Sequence, residues 1–140
     1  MLIASFLLLG TAVAYAGPSR SQAPCVLNDY RVKSVTPYKV GERTGKTVYP
    51  RLAGALLFVE AQPGVTAEWL QLDLMRHLGG GRVGWPTRDC ALDVKDIRVQ
   101  VEPAGWGYYV KLIANDPSDA KEVLHRAELQ LRAPPAPHPV

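Results

Sequence analysis

Residues 93–114 read DVKDIRVQVEPAGWGYYVKLIA, and this stretch decides the fold. Ile97, Val99 and Val101 fall on one side of the chain; Arg98, Gln100 and Glu102 fall on the other. A period of two is that of a strand with one face buried and one face in water. Pro103-Ala104-Gly105-Trp106-Gly107 then supplies a glycine-bearing turn. Alternation resumes with Tyr108, Val110, Leu112 and Ala114 on one face. The expectation is an antiparallel hairpin, with its first strand over 93–102 and its second over 108–114.

Working outward, Leu52 to Val59 (LAGALLFV) is an unbroken apolar run closed by Gln62-Pro63-Gly64. A short run without alternation predicts a strand covered on both faces, hence a central one. A helix is expected next. Thr66 fits its N-cap, Glu68 favours the positive end of the dipole, and Val65 with Leu70 occupy hydrophobic-staple positions. Leu70, Leu74 and Leu78 form its apolar stripe, widened by Ala67 and Met75, and Gly79-Gly80-Gly81 is expected to stop it. After the hairpin, Asp116 fits an N-cap and Pro117 the first helical position. Ala120, Val123, Leu124, Ala127 and Leu131 make the stripe of this second helix. Upstream, Tyr30–Val40 and Lys46–Pro50 read as an extended arm with one or two strands, separated by a turn-like Gly41–Gly45.

The order is therefore β-α-β-β-α after an N-terminal arm. This predicts the α+β class, a small antiparallel sheet backed by two helices. In topology alone it resembles the ferredoxin-like split βαβ arrangement lacking its final strand.

The chain has 140 residues, enough for one domain. Its 47% hydrophobic and 21% charged residues exclude a disordered, collagen-like or multi-span membrane chain. The apolar residues are unevenly spread. Residues 1–16 (MLIASFLLLGTAVAYA) carry no charge, run apolar from Leu2 to Leu9, and place Ala14 and Ala16 at −3 and −1 before Gly17. That is a secretory signal pattern, although only the terminal amine supplies its positive end. It is too short to span a membrane, which takes about 20 apolar residues. The domain reading is a signal peptide (1–16), a flexible leader (17–24), a single α+β domain (25–132) and a proline-rich tail (133–140). The chain is expected to be exported, to the periplasm or the medium, with no stable membrane insertion once the signal is removed.

Cys25 and Cys90 are the two cysteines of the chain. An even count in an exported chain predicts a disulfide. No C-x-x-C motif is present to lower a thiol pKa for redox work.

Two phosphate-loop look-alikes fail on context. Gly41-Glu42-Arg43-Thr44-Gly45-Lys46-Thr47 has three residues between its glycines where a P-loop has four, and Val48-Tyr49-Pro50 cannot open a helix. Gly79-Gly80-Gly81-Arg82-Val83-Gly84 matches G-x-G-x-x-G but follows a helix instead of a strand. No cofactor is expected.

Candidate binding residues are Trp69, Asp73, His77, Trp85 and Trp106. Asp73 and His77 stand four apart on the first helix, the spacing of a carboxylate that orients an imidazole. Neither a third ligand at motif spacing nor a nucleophile motif accompanies them, so neither a metal site nor a catalytic residue is assigned. The tryptophans lie near loops, where exposed indoles make recognition surfaces. Residues 20–51 hold seven Lys and Arg against Asp29 and Glu42, so the arm is basic. The spacing of these charges matches no nucleic-acid motif, and no nucleic acid is expected as partner.

These features together predict a small exported, disulfide-braced, non-enzymatic binding or accessory protein of the periplasm or cell envelope. Its partner would be another protein or an envelope component, met on the hairpin face (Arg98, Gln100, Glu102, Tyr109, Lys111) or at a free sheet edge. The alternatives are a metal-handling protein using Asp73 and His77, and a small hydrolytic enzyme.

Overall fold

A computed structural model describes residues 25–78 and 90–132. The expected signal peptide, leader and tail, and residues 79–89 with Trp85, lie outside the described residues. The elements are β1 (Val32–Thr44), β2 (Thr47–Glu60), α1 (Ala67–Arg76), β3 (Arg98–Ala104), β4 (Gly107–Ile113) and α2 (Pro117–Arg132). The strands form one antiparallel sheet in the order β1-β2-β4-β3. β4 lies between β2 and β3 and runs against both, so β2-α1-β3 is a split crossover. The N-terminal arm supplies the fourth strand, on the edge beside β2. The α+β class and the β-α-β-β-α order expected from the sequence are those of the structure.

Alternation places Ala55, Leu57 and Val59 of β2, Val110 and Leu112 of β4 and Val99 of β3 in a core shared with both helices. Leu70 and Leu74 of α1, and Ala120, Val123 and Ala127 of α2, close it from one side. Each fully buried leucine or valine contributes roughly 1.5–3 kcal/mol, so this face dominates the stability. Two stripe positions differ from expectation. Met75 is 47% exposed, because one step of about 100° past Leu74 carries it off the buried face. Leu131 is also exposed, in the last turn of α2 beyond the final buried position, Ala127.

Both expected caps form. Thr66 Oγ1 accepts from the Trp69 amide at 3.2 Å, and Asp116 Oδ1 accepts from the Ser118 amide at 2.7 Å. α1 ends at Arg76, ahead of the glycines expected to stop it, with His77 as its C-cap. β3 starts at Arg98, later than the Asp93 expected, because Ala91–Asp93 is a 3-10 turn and Asp96 takes a left-handed φ of 53°.

The largest departure is in the arm. Gly41 sits inside β1, and the turn is the two-residue Gly45-Lys46, with Gly45 at φ 66°. The result is one long hairpin. β4 pairs with β2 only from Gly54 to Glu60, so the pairs from Lys39↔Leu52 to Thr44↔Thr47 continue as a two-stranded ribbon beyond the sheet. A bulge marks the junction, with Ala53 unmatched between Tyr38↔Gly54 and Lys39↔Leu52.

On the sheet face opposite the helices, Phe58 is buried by neighbours from its own sheet. Trp106 and Tyr109 meet its ring edge-on at 4.4 and 5.3 Å between centroids. The apolar run 52–59 is thus central as expected, but aromatic side chains and not a second layer cover Phe58.

Cys25 and Cys90 form a disulfide with Cα atoms 5.3 Å apart, as expected. It joins the 3-10 turn Val26–Asp29 to the turn Ala91–Asp93. Closing a loop of 65 residues is worth about 4 kcal/mol in the chain-entropy account. Among the described residues, no helix is long and apolar enough to cross a membrane.

Candidate binding groove

The disulfide fixes Cys25, and the turn that follows delivers Tyr30 as its C-cap. α1 presents Trp69, Asp73 and His77 at spacings of four, hence along one side of the helix. The two elements face each other across a groove of about 440 Å³. Val26, Asp29 and Tyr30 line one wall, Trp69, Asp73 and His77 the other, and Gln62 and Val65 the end after β2.

Three of the five candidate binding residues therefore meet. Trp69 is 48% exposed. Trp106, 62% exposed, lies elsewhere, in the β3–β4 turn on the face opposite the helices. Trp85 lies outside the described residues.

The hydrogen bonds of the groove differ from a plain Asp–His pair. Asp73 Oδ2 accepts from the Tyr30 hydroxyl at 2.6 Å, across 43 residues of sequence. His77 Nδ1 lies 2.7 Å from the main-chain oxygen of Asp73, and 3.9 Å from its carboxylate. A carbonyl only accepts, so Nδ1 is the donor of this bond. The imidazole thereby satisfies one of the carbonyls left open at the end of α1.

Burial, the Asp73 hydrogen bond and the charges of Asp73 and Asp29 push the Tyr30 phenol well above its ordinary pKa. It stays a neutral donor at physiological pH. The Asp73 side chain is only 17% exposed, and among the described residues its hydrogen-bond donor is this uncharged phenol. Among the described residues, no lysine or arginine lines the groove. Among the described lining residues the one hydroxyl is the Tyr30 phenol, which is engaged with Asp73. Among the described residues, no three His, Cys, Asp or Glu side chains gather in a way that could hold a metal ion.

Tyr30 and Gln62 escaped sequence reading. Tyr30 looks like the first residue of an alternating strand, and only the disulfide-tied turn brings it to α1. The hairpin face named in advance does carry Arg98, Gln100, Glu102, Tyr109 and Lys111, with Lys111 Nζ 2.8 Å from Glu102 Oε1. The sheet edges are less open than expected. Gln71 Oε1 accepts from the Val101 amide at 3.0 Å on the β3 edge, and Pro37 interrupts the β1 edge.

Comparison with family models, curated proteins and solved structures finds no match to this chain.

Proposed function

We propose that this chain is an exported, disulfide-braced, non-enzymatic binding protein whose groove takes a basic side chain of a partner protein. The observation that carries the reading is the partly buried Asp73 carboxylate, which among the described residues accepts from the neutral Tyr30 phenol in a groove with no described cationic lining residue. A carboxylate so placed gains most from a charge-assisted bond to a guanidinium or ammonium group. Asp29 adds a second negative charge on the facing wall, and Trp69 lines the groove with an indole, the ring that best attracts a cation. The disulfide fits an oxidising compartment.

The alternative of an Asp73/His77 metal site or hydrolase finds less support. The Nδ1 of His77 is occupied by a carbonyl, and the carboxylate bonds to Tyr30. Titration of the protein with N-acetyl-arginine methylamide, followed by NMR, tests the reading. The expected result is a shift of the Trp69 indole N–H signal, lost in Asp73→Asn and not produced by the norleucine analogue. Shifts of equal size with norleucine, or confined to the Trp106 signal, would reject it.

A further inference from the structure

The β1–β2 ribbon beyond the sheet has a chemistry that the groove does not use. Residues directly opposite one another in an antiparallel pair project to the same side. The register therefore puts Lys39, Gly41 and Arg43 on one face with Leu52, Pro50 and Val48. Glu42, Tyr49 and Arg51 take the other face, where Glu42 and Arg51 pair at 3.0 Å. The first face thus holds cations and apolar groups and no acid, and Lys46 stands in the turn at its tip.

Among the described residues, Lys39, Arg43 and Lys46 make no ion pair, and all three are exposed. Val48 is 58% exposed and packs across Gly41, where an added Cβ would stand 2.8 Å from its Cγ1. That contact gives Gly41 its place in the strand and keeps Val48 on the cationic face. The ribbon leaves β2 at the end opposite Gln62 and Val65, so it is separate from the groove.

We infer that this ribbon face docks on an anionic phospholipid surface. Lysine and arginine heads beside short apolar side chains match the headgroup–acyl boundary, where phosphates neutralise the first and hydrocarbon receives the second. A nucleic-acid backbone would satisfy the cations but has no use for exposed Val48 and Pro50, and the disulfide argues for an oxidising compartment. The ribbon would hold the protein at a membrane while the groove at the far end of β2 stays open.

The test is co-sedimentation of the full, disulfide-intact chain with vesicles of phosphatidylcholine alone or with 3 parts in 10 phosphatidylglycerol. The apolar segment 2–9 is common to every variant and so does not distinguish them. The wild type should bind the anionic vesicles preferentially, and lose that preference in 0.5 M salt. Lys39→Glu with Arg43→Glu and Lys46→Glu should weaken it by about 100-fold or more, since each cation contributes about fivefold. Val48→Ser should weaken it severalfold at unchanged charge. Arg43→Gln alone, with an unchanged melting temperature, guards against a folding defect in the triple variant and should cost about fivefold. Equal binding to both vesicle types, no effect of the charge variants, or tighter binding to a 30-base-pair duplex that ignores Val48→Ser would each overturn the inference.

Discussion

Tyr30 donates a 2.6 Å hydrogen bond to Asp73, joining the turn after Cys25 to the middle of α1. Removing the hydroxyl leaves a partly buried carboxylate short of a donor. Tyr30→Phe is therefore expected to cost about 1–3 kcal/mol in urea unfolding at pH 7.

The same pair makes stability depend on alkaline pH. The phenol is raised above its ordinary pKa in the folded state, chiefly by burial and then by Asp73. A raised folded pKa favours folding in full below pH 10 and loses that contribution as pH climbs above 10. The stability gap between wild type and Tyr30→Phe should shrink between pH 9 and 11. A gap that widens over this range would contradict the assignment.

Reduction of Cys25–Cys90, or the double serine variant, should lower the melting temperature by on the order of 10 °C or more. Because the bond fixes the turn that carries Tyr30, Asp73 should also lose its partner. A reduced protein that keeps the Tyr30 hydroxyl protected from solvent exchange would show that the groove stands without the disulfide.

Two glycines should resist substitution for different reasons than a third. A Cβ at Gly107 would stand 2.3 Å from the Val59 oxygen, and one at Gly54 would stand 1.8 Å from the Leu112 oxygen. Alanine at either should cost more than about 2 kcal/mol, because backbone must move. Gly45→Ala meets open space and pays only for its left-handed φ, about 1–2 kcal/mol. Thermal melts of the three variants give the order directly.

The helical stripes make a parallel comparison. Leu74→Ala empties a fully buried position and should cost 2–5 kcal/mol by the usual cavity rule, on the order of other core leucines. Met75→Ala should stay within about 0.5 kcal/mol. Similar losses at the two sites would mean that α1 is rotated from the position described.

What the sequence made legible was local. The alternation over 97–101, the glycine turn at 105, and the Thr66 and Asp116 caps all act within a few residues of themselves, and each holds in the structure. The ribbon was hidden because Gly41 and Pro50 carry turn-like identities in strand positions. Gly41 is there to seat Val48, and Pro50 is tolerated where no third strand needs its amide. At the groove, spacing alone brought Asp73 and His77 to one side of a helix. It gave no sign of Tyr30, whose approach depends on a bond between residues 25 and 90. Spacing also suggested a carboxylate–imidazole bond, whereas the main-chain oxygen at the helix end is the closer acceptor.

The central claim is that a partner's basic side chain enters the groove between Tyr30 and Trp69. A photo-crosslinking residue placed at position 69 in the producing cell, with position 125 on the exposed side of α2 as control, tests it most directly. The account predicts a defined adduct from position 69, with the link mapped beside a lysine or arginine of the partner and abolished by Asp73→Asn. Adducts of equal yield from position 125, or an adduct at 69 indifferent to Asp73, would contradict it.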